Sequence, residues 1–228
     1  MAHDEAAARA PARSVPASLD VALVKTSSLG DVIHALPVVT DILAACPAAR
    51  IDWVVEESFA ELPALHPGVA TIHRVAMRRW RKAPLSAATR AEWSRFRAGF
   101  RARRYDLILD LQGLVKSAFL ALQGRGPRAG FDRASAREPL AALFYERRFR
   151  VDQKQHAIRA LRSLAAQALG YRAEGLPRFA LAPPPVEGLA QMPGGPLAPG
   201  SIVLLHMTAR AEKQWPADRW RALAQRLD

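Results

Sequence analysis

Val21-Ala-Leu-Val-Lys-Thr-Ser-Ser-Leu-Gly-Asp31, running on into Val-Ile-His-Ala-Leu-Pro37, reads as a strand, a tight turn and the start of a helix. Val21 to Val24 is an unbroken apolar run, the pattern of a parallel strand buried on both faces. Ser27, Ser28 and Gly30 interrupt it, and Asp31 stands where the helix begins. A carboxylate at that point is held by backbone N–H groups and by the positive end of the helix dipole. It also lies at the carboxyl edge of a parallel sheet, where α/β folds place their ligands. An aspartate that only caps the helix would look the same. The turn has one glycine, not the three of G-x-G-x-x-G, and no G-K-[ST] follows, so dinucleotide or P-loop binding is not expected here. Its two serines and free N–H groups suit a sugar hydroxyl or a phosphate.

Further strand-like and helix-like segments alternate outward from this unit. Strands are expected at Ile51–Val55, Thr71–Ala76 and Leu107–Leu111. Helices are expected at Phe59–Leu65, Leu85–Arg103, Leu114–Leu122, Ala136–Tyr145 and His156–Leu169, the last with Ile158, Leu161, Ala165, Ala168 and Leu169 at helical spacing. Repeated β-α alternation predicts a parallel sheet covered by helices on both faces. Residues 175–200 hold seven prolines and five glycines, a composition that sustains neither a helix nor a central strand and reads as a linker. Beyond it, Ile202–Leu205 reads as a strand and Pro216–Leu227 as a helix. One such unit cannot bury a core of its own, so the chain reads as one α/β domain and the first β-α unit of a second. The segments are a disordered lead-in (1–19), an α/β domain (20–174), a linker (175–200) and an incomplete second domain (201–228).

Composition narrows the function classes. Half of the 228 residues are hydrophobic, enough for a sizeable core, and no run approaches the length of a membrane span. The first 20 residues lack the apolar centre of a signal peptide. The single Cys46 excludes an internal disulfide, fits a reduced cytoplasm and is expected as a packed core thiol. The six histidines show no metal-ligand spacing. The net charge is +12 and it is concentrated. From Arg74 to Arg104 there are eleven Lys or Arg and one acid, Glu92, which points to an anionic partner. Nucleic acid is the weakest choice, because no nucleic-acid-binding signature accompanies the run. A phosphorylated substrate or an anionic membrane surface fits better.

Six blocks then carry a resemblance: V-K-T-S-S-L-G-D-V-I-H-A-L-P (Val24–Pro37), D-W-V-V-E-E (Asp52–Glu57), R-R-W-R-K (Arg78–Lys82), D-L-Q-G-L-V-K-S (Asp110–Ser117), A-R-E-P-L-A (Ala136–Ala141) and K-Q-W-P-A-D-R-W (Lys213–Trp220). In this order they resemble the lipopolysaccharide heptosyltransferases of glycosyltransferase family 9, most closely the heptosyltransferase I group. The resemblance implies a GT-B fold of two Rossmann-like domains. The first would receive Kdo2-lipid A and the second ADP-L-glycero-D-manno-heptose, with inverting transfer to Kdo and no cofactor or metal. It makes Asp31 the general base. Acceptor binding would fall to Ser28, Gly30, Arg78, Arg79, Arg81, Lys82 and Arg137, and donor binding to Thr208 and Lys213. Arg137 has the alternative of pairing with Glu138, and Trp80 is expected to anchor its loop by packing. Lys116 reads as an exposed helix lysine or a cation facing the cleft, and Glu56 and Glu57 as loop or cleft polar groups. The expected protein is a monomer, cytoplasmic and peripheral on the inner membrane. Ala209 stands where the family commonly has a second threonine, and the family's D-T-G-x-x-H block has no counterpart among these residues. The 228 residues by themselves are therefore expected to turn over little substrate. Two rivals remain, a non-catalytic basic module for anionic lipid or lipopolysaccharide and a heptosyltransferase II.

Overall fold

The computed structural model describes residues 17–183, 198, 200–204 and 211–227. The chain divides into two units between Pro183 and Pro184. The first is built on a six-stranded sheet, every neighbouring pair parallel, in the order β3-β2-β1-β4-β5-β6. Its strands are β1 (Leu19–Val24), β2 (Ala49–Glu56), β3 (Val69–Val75), β4 (Leu107–Asp110), β5 (Arg128–Phe131) and β6 (Arg147–Phe149).

β1 sits inside the sheet between β2 and β4, and its residues alternate between two cores. Val21 and Leu23 face a layer formed by α1 (Leu29–Ala45) and α6 (Ala157–Leu169), through Val32, Leu36, Val39 and Ile42 on one helix and Leu161, Leu164 and Ala168 on the other. Ala22 and Val24 face the opposite layer, where α4 (Ala87–Arg101) and α5 (Val115–Ala121) contribute Phe96, Phe100, Leu120 and Ala121. This period-two split explains why the run is apolar throughout: each side of the strand meets a helix layer and neither meets water. Chain order runs outward from β1 to β2 and β3, then returns to β4 and continues to β5 and β6. The direction reverses between β1 and β4, and their carboxyl ends open the crevice in which such sheets bind ligands.

Several expected elements take another form. Residues 136–145, read as a helix, contain a 3-10 turn at Pro139–Phe144. Phe59–Leu65 becomes a 3-10 turn (Glu57–Phe59) followed by the short α2 (Glu61–Ala64). Arg78 to Lys82, read as a loop, begin inside the short helix α3 (Met77–Trp80). Leu85 lies ahead of α4, whose N-cap is Ser86, with the Ser86 hydroxyl accepting from the Thr89 N–H at 3.1 Å. β5 and β6 are strands that the sequence reading does not locate. Cys46 is buried at the end of α1, as expected of a core thiol.

Residues 175–183, read as the start of the linker, lie against the first unit. The buried Arg162 guanidinium donates to the Glu174 and Gly175 carbonyls at 2.8 and 2.9 Å while forking onto Asp41 at 2.7 and 3.0 Å. The Ala182 N–H donates to the Leu65 carbonyl at 2.9 Å. Residues 1–16 of the lead-in and most of the later linker lie outside the described residues.

In the second unit, α7 (Ala217–Gln225) follows Pro216, which is the N-cap and not the first helical residue. Ile202, Val203 and Leu204, expected as a strand, pair with no other strand among the described residues, and Leu205 lies outside them. Trp215 and Trp220 meet edge to face, with ring centroids 5.0 Å apart.

Candidate functional site

The crevice between the carboxyl ends of β1 and β4 contains a recess of about 230 Å³. Lys25 enters it from the β1–α1 loop, Asp31 from the first turn of α1, Gln112 from beyond β4, and Ser135 and Arg137 from beyond β5; Gln153 and Gln155 close it ahead of α6.

Asp31 is the third residue of α1, not its N-cap, which is Ser28. Its Oδ2 accepts the Ser28 N–H at 2.9 Å and the Ser28 hydroxyl at 3.0 Å. A carboxylate in the first turn thus satisfies a backbone donor that the helix leaves free. Across the recess the Arg137 Nη1 stands 3.9 Å from the same oxygen. Burial pushes the Asp31 carboxyl up, but the two Ser28 donors and the Lys25 and Arg137 charges outweigh it and hold it below the ordinary carboxylate range. It is ionised at neutral pH and a third of its side chain remains exposed. That is the state of a base open to an incoming hydroxyl.

Lys25 is a buried lysine with only 4 % exposure. Its Nζ donates to the Leu111 carbonyl at 3.0 Å. Burial lowers its pKa, and Asp31 and Asp110 partly restore it. The segment carrying it is fixed from β4. Gln112 Oε1 accepts the Thr26 N–H at 2.8 Å and the Thr26 hydroxyl at 2.9 Å, and its Nε2 donates to the Ser27 carbonyl at 2.7 Å. Beneath lies Asp110, fully buried. One oxygen accepts the Gln112 and Gly113 N–H groups at 2.7 and 3.3 Å, and the other accepts the Ser117 and Tyr145 hydroxyls at 2.7 and 2.6 Å. Gly113 turns the chain there with φ +67°, which an L side chain resists. Lys25, Asp110, Gln112 and Tyr145 were not singled out from the sequence. The available signal was a polar residue directly after each two-faced apolar strand, in V-A-L-V-Lys25 and L-I-L-Asp110.

The other expected acceptor residues divide. Gly30 lies exposed in the first turn of α1. Arg137 does not turn to Glu138, whose carboxylate takes the Val115 N–H at 2.7 Å. Arg78, Arg81 and Lys82 lie on α3 and the turn after it, and this segment follows the carboxyl end of β3 on the far side of β2 from the recess. Arg78, Arg81 and Lys82 are exposed, the Arg78 guanidinium 5.6 Å from the Phe59 ring. Arg79 is committed: it bridges Glu57 at 2.9 Å and Glu92 at 2.9 Å. Glu92 also takes the indole N–H of the buried Trp80 at 2.6 Å, so Trp80 anchors this turn as expected. Buried Glu56 accepts the Met77 and Arg78 N–H groups, both at 3.2 Å, and starts α3. Lys116 is exposed on α5. Of the donor residues, Lys213 is exposed in a 3-10 turn (Ala211–Lys213), while Thr208 lies outside the described residues.

Residues 93–228 match glycosyltransferase family 9 (heptosyltransferase). The chain is 49 % identical over 210 residues to lipopolysaccharide heptosyltransferase 1 of Pseudomonas aeruginosa, covering 91 % of this chain and 57 % of that protein. It is 44 % identical over 205 residues to the protein of the same name from Escherichia coli K12, covering 89 % and 63 %. The solved E. coli heptosyltransferase WaaC with ADP superposes with a TM-score of 0.81 at 42 % identity, over 92 % of this chain and 64 % of that one. The same holds for WaaC with ADP-2-deoxy-2-fluoro heptose, at 65 % of that chain. The chain spans about three fifths of the length of the curated relatives it matches.

Proposed function

The chain belongs to glycosyltransferase family 9, the heptosyltransferases, and on that premise we propose that it serves the inverting transfer of L-glycero-D-manno-heptose from ADP-heptose to the Kdo of Kdo2-lipid A. The observation that carries this reading is the recess at the β1–β4 crevice, where an ionised Asp31 faces Arg137 at 3.9 Å beside the buried Lys25. The donor reading is supported by the nucleotide and the fluorinated sugar nucleotide named for the solved relative; the relatives' names support lipopolysaccharide as the acceptor class, and Kdo2-lipid A is what the sequence resemblance implies.

Inverting transfer needs a base on the acceptor hydroxyl, on the side opposite the departing nucleotide. Asp31 takes that proton. Arg137 and Lys25 supply positive charge next to it, which holds the carboxylate ionised and suits the acid groups of Kdo. We assign acceptor recognition to the first unit, through Ser28, Gly30, Arg137 and the exposed Arg78, Arg81 and Lys82. Thr208 and Lys213 are assigned to the donor diphosphate, Lys213 countering the charge that grows on ADP. The working place is the cytoplasmic face of an anionic membrane. No described helix is long and apolar enough to cross one.

The test is ADP release from ADP-heptose, required to depend on Kdo2-lipid A, together with acceptor affinity measured by calorimetry. Release without acceptor dependence, or no acceptor binding at all, overturns the assignment. Within that assay, converting Arg78, Arg81 and Lys82 together to alanine should weaken acceptor binding by roughly fivefold per cation at low salt and flatten its salt dependence. Unchanged affinity would remove the cluster from the acceptor site. Arg79→Ala is a separate case, because it frees Glu57 and Glu92 and loosens the α3 turn.

The acid limb of turnover should lie below pH 3.8, the ordinary value for an aspartate, since Asp31 is held below it. Arg137→Ala removes a charge that favours the ionised form, so the limb should move to higher pH. The pair is half exposed and screened by solvent, so the move is small. A shift to lower pH would contradict the sign of this coupling.

A further inference from the structure

The turn between α3 and α4 and the adjoining side of α5 present an apolar surface next to the Arg81 and Lys82 assigned above to the acceptor, and its Leu85, Arg90 and Phe119 have no part in that assignment. Trp80, Pro84, Trp93 and Phe119 line an apolar recess of about 300 Å³, with Arg81 and Arg90 on its rim. Phe119 is 43 % exposed and stacks on Trp93, ring centroids 5.7 Å apart and planes within 8°. Leu85, at the tip of the turn, is 81 % exposed. Exposed apolar groups interleaved with arginines and lysines are the composition of a surface that sits in a lipid interface.

The charge pattern says which partner covers it. Arg78, Arg81, Lys82 and Arg90 are exposed, and the one acid between Arg74 and Arg104, Glu92, is held by Arg79 and the Trp80 indole. A protein partner would ordinarily meet charges of both signs. A nucleic acid would need open aromatic faces for stacking, yet Trp93 is flanked by Trp80, Phe96 and Phe119, and Leu85 offers a nucleic acid nothing. A single sign of charge around an apolar tip matches an anionic bilayer.

We propose that this face docks the protein on an anionic phospholipid bilayer. Leu85 and Phe119 enter the acyl boundary, and Arg81, Lys82 and Arg90 hold the headgroup phosphates. This deepens the membrane-surface part of the function proposed above and rests on that reading for its place in the cell. Its test contains no lipopolysaccharide and no sugar nucleotide, so the two can fail separately.

The experiment is flotation of the 228-residue chain with phosphatidylethanolamine–phosphatidylglycerol vesicles and with phosphatidylcholine vesicles. Binding to the anionic vesicles should exceed binding to the neutral ones by about tenfold or more and fall steeply with salt. L85E/F119D should lower the partition by about tenfold or more with an unchanged thermal melt; both side chains are surface-exposed, and L85E alone serves if the double variant does not fold. R90E should weaken binding and flatten its salt dependence. Bromine-labelled acyl chains should quench part of the tryptophan emission, a part that W93F removes. Equal binding to both vesicle types, or unaltered binding by L85E, overturns the proposal. So does concentration-dependent self-association that F119D abolishes without vesicle binding, since a second copy would then cover the face. Tighter binding to an oligonucleotide than to the anionic vesicles overturns it as well.

Discussion

Asp31→Ala is expected to lower kcat by about 10² to 10⁴ and to change acceptor affinity by less than about threefold. The rate loss follows from the general-base assignment. Without a carboxylate, the acceptor proton must leave to water while the glycosidic bond forms. Affinity is spared because charge recognition rests on Arg137, Lys25 and the α3 cations. Since the chain spans about three fifths of its relatives' length, turnover is measured with the remaining residues of the P. aeruginosa relative joined after Asp228. Acceptor affinity is measured on the 228 residues themselves. Asp31 also caps α1 through Ser28, so alanine alone confuses two roles. Asp31→Asn separates them: its amide oxygen still accepts the Ser28 N–H, yet it cannot take a proton near neutral pH. The asparagine variant should match alanine in rate loss and match the parent in stability, while alanine costs about 1 kcal/mol as a lost cap does. If asparagine keeps more than about a tenth of kcat, Asp31 is a cap and the base lies elsewhere.

How far this site could be read without coordinates depends on distance along the chain. β1, the turn and the helix after it are contiguous, and the apolar run states its own double burial, so the central strand and the place of Asp31 were legible. The strands that were missed explain themselves. β5 and β6 have four and three residues, and they carry Arg128, Gly130, Arg147 and Arg148. β6 is the edge strand and three residues are too few to show a period, while β5, paired on both sides, has only Ala129, Gly130 and Phe131 buried, too short a run to stand out as a strand. The Ala136–Tyr145 helix failed because its apolar run is too short to propagate beyond a 3-10 turn after Pro139. In the site, Asp31 and Arg137 could each be named, but not their 3.9 Å approach, since it arises only when β5 folds next to β4. The Asp110–Tyr145 pairing is hidden in the same way. Arg79 shows a different limit of the sequence. The resemblance makes it one of four acceptor cations, and only the fold shows that two glutamates already hold it.

Asp110→Ala should destabilise the first unit by about 3 kcal/mol, the order expected when a buried, multiply hydrogen-bonded carboxylate is removed. Four donors point at this side chain, and water does not reach it. They do not lose equally. The Ser117 hydroxyl has the Leu114 carbonyl at 2.8 Å as an alternative, and the Gly113 contact is long. The Gln112 N–H and the Tyr145 hydroxyl are left in apolar surroundings, each costing about 1–3 kcal/mol. In a unit of this size the melting temperature should fall by roughly 6–12 °C. Asp110→Asn keeps an oxygen for Gln112 and places an N–H₂ against Tyr145, so it should cost about 1 kcal/mol or less. The two variants also separate charge from shape. Burial raises the Asp110 pKa above its ordinary value against the pull of its donors. A folded pKa above the unfolded one means that this group's contribution is fully present below the unfolded value and is lost as pH rises through the folded value. The stability of the parent relative to Asp110→Asn should therefore decline with rising pH, starting above pH 3.8. A relative stability that instead climbs with pH would mean the four donors win over burial. An alanine variant within about 1 kcal/mol of the parent would mean the network does not brace the loop that holds Lys25 and Asp31.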